Sequence, residues 1–337
     1  MKKSVLASAI VLALSASAAY AGNIININPD AAGVDPVVSV GTLDWAPGNA
    51  ISIGVGSPTL IQAAFDNQTP FQTYAHAALG GFIDGNGNPI GGLNLNGPTA
   101  ATNYEWTYVA GFQEVVSSIT GVVPNGSNTF KTVAGGDNFF KIYYDATPDA
   151  NNLTGKNFND GVLILSGTIL PFDIATGEGA SSFNTTGGCG LTGLTCGNLD
   201  TFGTDNYPLI DTPTGNGASN LEVLVNFADP TFFLQGLGLH GSILSLSFDT
   251  HQNLPYDQQN PSACFTDGTG AQVNGAGGQG TTCVNTVGAI NGISGPNVMF
   301  LTDANMSAVT VPEPATVALL GLGLIGLGMA RRRKTQA

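Results

Sequence analysis

Short runs in which apolar and polar residues alternate are the feature of this sequence that most restricts its fold. In residues 221–227 every odd position is apolar, and residues 243–248 set Leu244, Leu246 and Phe248 against two serines. A period of two turns one face of a strand inward and the other outward. Gly, Pro, Asn and Asp separate six further predicted strands, which are residues 50–55, 104–116, 129–133, 139–144, 162–170 and 298–301.

Helical periodicity is nearly absent from the same sequence. Residues 59–65 and 231–239 are each predicted as one short helix, whereas an α/β protein needs longer helices between its strands. The sequence therefore predicts an all-β body, arranged as a sandwich or a jelly roll. About 290 mature residues allow one large or two modest β domains, and two would divide in the Gly- and Thr-rich segment 176–214.

The N-terminus has the three parts of a secretory signal peptide. Two lysines come first, residues 5–14 are apolar, and Ala19 and Ala21 form an A-x-A cleavage site. We therefore expect residues 1–21 to be removed and the mature chain to begin at Gly22.

The C-terminus combines a short motif, an apolar run and a basic cluster. The motif is Pro312, Glu313 and Pro314, the apolar run covers 315–330, and the cluster begins with Arg331, Arg332 and Arg333. A run of about 16 residues is short against the roughly 20 that a helix needs to cross a bilayer, but it can span a thinned one. The arginines are too costly to translocate and hold the tail in the cytoplasm. We therefore predict a single transmembrane helix over 315–330, with the body outside.

This order of motif, apolar helix and basic cluster resembles the PEP-CTERM sorting signal of Gram-negative bacteria. The resemblance implies a partner during export, an exosortase, which is a membrane-embedded cysteine enzyme. The Pro-Glu-Pro motif would be its recognition element and the arginine cluster the stop-transfer signal. Residues 311–337 would then be the sorting signal, and residues 22–310 a secreted body exported through the inner membrane to the envelope or the extracellular space. An ordinary membrane anchor is the alternative.

The charge of the mature body excludes nucleic acid as a partner. Lys131, Lys141 and Lys156 are its only basic residues apart from the tail, and no arginine lies among them. Without the two terminal signals, the body has 3 basic and 22 acidic residues, so its formal charge is −19. Phosphate binding requires a basic footprint, whereas an acidic surface attracts divalent cations.

Four cysteines in an exported chain predict disulfides. Cys189 and Cys196 flank one Gly-rich loop, and Cys264 and Cys283 flank another. Of the three possible connectivities, the favoured one pairs Cys189 with Cys196 and Cys264 with Cys283. A cysteine-ligated metal or a reactive thiol is the alternative, but no C-x-x-C spacing and no nearby histidine supports it.

One loop invites comparison with a calcium site, although no cofactor is otherwise predicted. Residues 84–88 begin like the D-x-[DN]-x-[DN] loop of an EF-hand, but Pro89 replaces the turn glycine and Leu95 the bidentate glutamate. Asn and Gly also favour a tight turn, so we interpret the segment as a turn rather than a calcium site.

Catalytic motifs are missing from the sequence. His76, His240 and His251 lie in no metal-binding motif, and no G-x-S-x-G elbow occurs. Glu105 is the one glutamate with aromatic neighbours suited to stacking on sugars, namely Tyr104, Trp106 and Tyr108, yet an outward-facing acid on a strand is the simpler interpretation. No catalytic residue is therefore assigned.

Residues 41–50 resemble the start of the flocculation-associated PEP-CTERM proteins of floc-forming bacteria. Their sequence is GTLDWAPGNA. The resemblance implies a non-catalytic adhesin that associates with exopolysaccharide and promotes flocculation. A secreted glycosidase or lyase displayed by the same signal is the alternative from another class, and a passive matrix protein is a third.

Overall fold

The computed structural model describes residues 24–31, 33–97, 102–122, 125–187, 197–203, 205–235, 243–273, 283, 290–291 and 296–309. The predicted signal peptide and sorting tail lie outside these residues. Within them strands dominate, which confirms the prediction of an all-β body. None of the helices in this part of the chain has the length and apolar character needed to cross a bilayer.

One helix, α1 (Pro58–Asn67), confirms the helix predicted over 59–65. The strands, in chain order, are β1 (Ile25–Ile27), β2 (Val38–Val40), β3 (Thr42–Ile53), β4 (Phe71–Ile83), β5 (Glu105–Val122), β6 (Asn125–Thr132), β7 (Phe139–Asp145), β8 (Val162–Ile169), β9 (Ala180–Gly187), β10 (Gly197–Asn198), β11 (Asp211–Thr212), β12 (Thr214–Ala228), β13 (Phe233–Gln235), β14 (Ile243–Leu254), β15 (Phe265–Thr266), β16 (Gln272–Val273) and β17 (Asn297–Val309).

Ten strands form one antiparallel sheet whose hydrogen bonds close on themselves. The order is β14-β17-β3-β4-β5-β6-β9-β12-β8-β7, and β14 also pairs with β12 while β5 also pairs with β7. The second pairings complete a ring of eight strands, β14, β17, β3, β4, β5, β7, β8 and β12. Strands β5 and β12 are long enough to change partners along their length: β5 passes from β7 to β6, and β12 passes from β9 to β8.

The interior of this ring is an aromatic core. Trp45 on β3 meets Tyr108 on β5 edge-on, with ring centroids 4.9 Å apart, and Tyr108 stacks on Phe140 of β7 at 5.3 Å. Trp106 contacts Phe82 of β4 in the same edge-on manner at 5.3 Å. All five side chains are at most 1% exposed. Aromatic pairs in these geometries add about 0.5–1.5 kcal/mol each beyond the area that they bury.

A second apolar layer lies on the outer face of β3, β4, β5 and β7. The ring of His76 on β4 stacks on Phe158 at 4.1 Å and lies 4.9 Å from Phe265 of β15. The backbone carbonyl of Phe158 accepts a hydrogen bond from Thr107 of β5 at 2.8 Å. The segments around these two phenylalanines therefore cover the sheet from outside, so the central strands are buried on both faces.

A small sheet in the order β13-β1-β2 covers one end of the ring. Its inward side chains Ile25, Val40 and Phe233 line a small apolar cavity together with Leu165 of β8 and Met306 of β17. Because side chains alternate along a strand, the neighbouring Ile24, Val37 and Leu234 are turned away from this core. They are 52%, 54% and 45% exposed.

Helix α1 covers part of the opposite end of the ring. Ser57 caps its N-terminus, because the Ser57 side chain accepts a hydrogen bond from the amide of Leu60 at 3.3 Å. The buried face of the helix packs with Phe71 of β4 and Val116 of β5 in a separate apolar cluster.

All eight predicted strands overlap observed ones, but one predicted helix is wrong. Residues 233–235 of the predicted helix 231–239 form β13 instead, because they pair with β1 and add Phe233 to the core. Residues 236–239 lie outside the described part of the chain. The alternation in 221–227 also breaks at its end: the register shifts between Val225 and Phe227, which leaves Phe227 41% exposed and buries Ala228.

The segment 176–214, where two domains would divide, connects strands of one sheet. Strand β9 lies inside it and pairs with β12, which begins at its end. The number of domains stays a prediction.

Candidate functional site

The predicted sorting residues lie just beyond the last described strand. Strand β17 runs between β14 and β3 and ends at Val309, which pairs with Ile243. Pro312, Glu313, Pro314 and the arginines Arg331, Arg332 and Arg333 follow outside the described residues. The sorting signal is thus attached to an inner strand of the sheet, with two residues between Val309 and the Pro-Glu-Pro motif.

One of the two predicted disulfides is present. Cys264 and Cys283 are bonded, with their Cα atoms 5.7 Å apart, and both are buried. The backbone of Cys264 also meets Gly155 so closely that a Cβ at Gly155 would overlap it. Cys189 and Cys196 lie outside the described residues, so their pairing stays a prediction.

A serine and a histidine lie at hydrogen-bond distance beside this disulfide. Nε2 of His76 is 2.8 Å from Oγ of Ser262, and that hydroxyl donates to the carbonyl of Asn152 at 2.5 Å. The pair has the spacing of a nucleophile and its base, but the Ser262 proton is donated to Asn152, so Nε2 of His76 must donate to Oγ. Ser262 is also 0% exposed, and burial lowers the pKa of His76 to about 3. The histidine is therefore neutral and inaccessible. The pair joins β4 to the segment around Ser262 and Phe265, called here the covering segment.

The aromatic residues around Glu105 are not a sugar platform. Tyr104, Trp106 and Tyr108 are each 0% exposed. Trp106 and Tyr108 belong to the interior core described above, while the hydroxyl of Tyr104 donates to Asp35 at 2.9 Å. Glu105 is the outward-facing acid on a strand that the sequence predicts, and a loop covers it and leaves it 4% exposed.

Glu105 belongs to a cluster of three carboxylates at one end of the ring. Asp145 lies directly opposite it on β7, Asp149 lies on the covering loop, and their ligand atoms fall within 4.8 Å of one another. Burial raises the pKa of Glu105 to about 7, although the amides of Asp149 and Ala150 donate to its Oε1 at 3.0 and 2.9 Å. Carboxylate oxygens are the donors that calcium prefers. Among the described residues, this is the group whose spacing suits a cation.

The loop at 84–88 is the tight turn that we favoured over a calcium site. Oδ1 of Asp84 accepts hydrogen bonds from the amides of Asn86 and Asn88, both at 2.8 Å. The bond from the Asn88 amide is the main reason why the pKa of Asp84 is lowered. The carboxylate therefore stabilises the turn in which it lies.

The segment 41–50 is part of the fold rather than a binding surface. Trp45 fills the interior, and three residues of β3 follow it where β4 has two, so the strand is locally irregular there. A Cβ at Gly48 would lie 2.4 Å from the carbonyl oxygen of His76, which explains the glycine. The side chain of Asn49 accepts a hydrogen bond from the amide of Ser262 at 2.9 Å.

A buried glutamate was missed in the sequence. Glu114 on β5 faces the interior, where Oε1 accepts from Ser181 of β9 at 2.6 Å and Oε2 accepts from Thr73 of β4 at 3.3 Å. Burial raises its pKa to about 7. Strict alternation would have placed Glu114 inside, because it has the same parity along β5 as the buried Phe112 and Val116.

Comparison with known proteins identifies the tail and nothing else. No curated protein and no solved structure gives a significant match to the chain. A protein-family model for the PEP-CTERM protein-sorting motif matches residues 310–334. The match confirms the resemblance of the tail, and such a signal implies export and processing by an exosortase. The flocculation resemblance of residues 41–50 stays a prediction. This chain therefore carries a PEP-CTERM protein-sorting motif at the end of an all-β body.

Proposed function

We propose that the chain is an exported, non-catalytic protein of the cell envelope or extracellular matrix that associates with exopolysaccharide and promotes cell aggregation. The observation that carries the proposal is the sorting motif at residues 310–334, because it sends the body to the compartment where exopolysaccharide lies. The body is all-β, and its arrangement as a sandwich or a jelly roll stays part of the proposal.

The proposed contact with polysaccharide is polar rather than aromatic. Both tryptophans are at most 1% exposed, and six of the described tyrosines are buried as well. Stacking of sugars on Trp or Tyr, the contact that the sequence first suggests, is therefore not the basis of binding in the described part of the chain. Asn and Thr side chains can bond sugar hydroxyls, and divalent cations can bridge the acidic body to an acidic polymer.

The mode of binding is tested with purified protein and purified exopolysaccharide from the same cells. We expect binding in millimolar calcium and its loss on chelation, since the body and an acidic polymer repel each other without cations. The matched cellular test compares floc formation in a deletion strain and in the complemented strain, each with and without calcium. Unchanged aggregation in the deletion strain would contradict the adhesin role.

The same binding assay separates the other two candidates. Release of reducing sugar or of an unsaturated product would favour a displayed glycosidase or lyase. Absence of any binding, with or without calcium, would favour a passive matrix protein.

A further inference from the structure

Exposed apolar side chains gather at the end of the body from which the sorting signal leaves. This end, called here the tail end, is marked by the strand termini Thr42, Ile83, Ile243 and Val309, which the pairing register places side by side. Six of the nine large hydrophobic residues that are exposed in the described part of the chain lie there, namely Ile24, Val34, Val37, Val162, Phe227 and Leu234.

Pairing and contacts fix each of these positions. Val162 pairs with Tyr144 near the end of β7, and Phe227 lies three residues beyond Leu224, the partner of Ile243. Val34 belongs to the loop whose Pro29 carbonyl accepts a hydrogen bond from Trp106 at the start of β5. The other three lie on or beside the outward face of the small sheet that covers this end. The other three exposed large hydrophobic residues, Ile174, Phe202 and Leu209, lie in loops beyond the opposite ends of the strands.

The length of chain between the body and the apolar run keeps this end close to the bilayer. Five residues, 310–314, separate Val309 from the start of the run at Ala315. Even fully extended, six steps along the chain reach about 20 Å. A body anchored by that run must therefore turn its tail end toward the membrane, because no longer tether is available.

We propose that the tail end is a membrane-contact surface, and that Ile24, Val37 and Leu234 enter the interface of the bilayer while the precursor is anchored. The inference rests on the proposed export and anchoring of the chain. Clustered exposed apolar side chains at the point of attachment are what an interfacial contact requires. The carboxylates Asp145 and Asp149 lie at the same end, so the surface suits zwitterionic lipid better than anionic lipid.

The test places a fluorescent reporter on each end of the full chain. Leu234→Trp and the control Leu209→Trp, at a residue 95% exposed on the opposite side, are each reconstituted at one chain per nanodisc with phosphatidylcholine brominated on its acyl chains. Bromine quenches tryptophan only at short range, and the signal of the buried native tryptophans is subtracted with the unsubstituted chain. We expect at least twofold stronger quenching of Leu234→Trp than of Leu209→Trp.

A second substitution tests the contact itself. Val37→Asp combined with Leu234→Trp should lose at least half of the quenching, since a carboxylate resists entry into the interface, whereas Ile174→Asp should leave it unchanged. Anionic lipid should also reduce the quenching.

Equal quenching of the two reporters in chains that remain with the nanodiscs would overturn the membrane-contact surface alone. Chains that separate from the nanodiscs on gel filtration would overturn the anchoring as well. Weak quenching together with dimers in detergent would overturn the proposal and assign the tail end to a second copy of this chain.

Discussion

Ser262 connects the covering segment to four separate parts of the chain, and its contact with His76 is the central one. The two side chains lie 2.8 Å apart although 186 positions separate them in the sequence. The amide of Ser262 donates to Asn49 and its carbonyl accepts from the hydroxyl of Tyr207 at 2.8 Å. With the bond to Asn152, one small residue thus joins β3, β4 and two loops.

Ser262→Ala should therefore destabilise the protein well beyond the loss of a single surface contact. It removes the partner of the buried Nε2 of His76 and of the part-buried carbonyl of Asn152, at a cost of about 1–3 kcal/mol in the free energy of unfolding. Urea unfolding measures this. Ser39→Ala is the matched control, because Ser39 is exposed and its hydroxyl bonds only Asn26, so we expect a change below about 0.5 kcal/mol. Equal effects of the two substitutions would contradict the role of Ser262.

Gly48→Ala tests the structural explanation of the segment 41–50. The new Cβ would lie 2.4 Å from the His76 carbonyl oxygen and 2.6 Å from the Cβ of Ala77, so β3 must move away from β4. We expect the free energy of unfolding to fall by about 1–3 kcal/mol. Gly81→Ala on β4 is the control, since its Cβ would meet nothing within 4 Å. If Gly48→Ala is as stable as Gly81→Ala in urea, the close approach is not the reason for the glycine.

Glu114 should make the protein less stable as the pH rises. Its pKa in the folded state, about 7, lies above its ordinary value of 4.5, so the folded chain holds a proton that the unfolded chain has released. The contribution is fully present below pH 4.5, falls between 4.5 and about 7, and is lost above that, with a total of roughly 3 kcal/mol. Glu114→Gln keeps the shape without the charge and should be more stable than the unsubstituted protein at pH 8.

The measurement is urea unfolding of both proteins between pH 4 and pH 8. The slope that remains in Glu114→Gln is the sum of two opposing contributions, because burial raises the pKa of Glu105 and lowers the pKa of His76. Identical slopes in the two proteins would show that Glu114 does not titrate in this range.

Replacing Cys264 and Cys283 together by alanine should lower the free energy of unfolding by about 3 kcal/mol, because the bond closes a loop across a sequence separation of 19. The control is the same comparison in reducing buffer, where the unsubstituted protein loses its bond too and the difference should shrink. A difference that persists in reductant would come from packing of the sulfur atoms instead of the cross-link.

Alternation of residue types was enough to find the strands with abundant branched and aromatic residues, and insufficient for the others. Strand β4 was missed because its sequence, FQTYAHAALGGFI, is rich in Ala and Gly. Ala77 and Gly80 lie where β3 comes close, so packing against β3 favours small residues there and lowers the strand propensity. The short strands β1 and β2 are stabilised by packing over the end of the ring, and no pattern in their own sequences indicates this.

The site was predictable only where a linear motif carries it. The sorting signal is contiguous, so the motif sufficed, and the pairing of Cys264 with Cys283 followed from proximity in sequence. The contact of His76 with Ser262 and the cluster of Glu105 with Asp145 depend on strand register and on a long covering segment, neither of which spacing reveals. The burial of Tyr104 and Trp106 likewise depends on which face of β5 turns inward.

Export and processing are tested by following the tagged full chain in cells that contain an exosortase. An epitope within the body is traced by fractionation after a pulse, together with alkylation of free thiols. We predict that the body reaches the envelope or the medium, shortened at its C-terminus and with Cys264 and Cys283 oxidised. A variant in which alanine replaces Pro312, Glu313 and Pro314 should accumulate unshortened in the membrane. A full-length chain that stays in the cytosol with reactive thiols would contradict the predicted export.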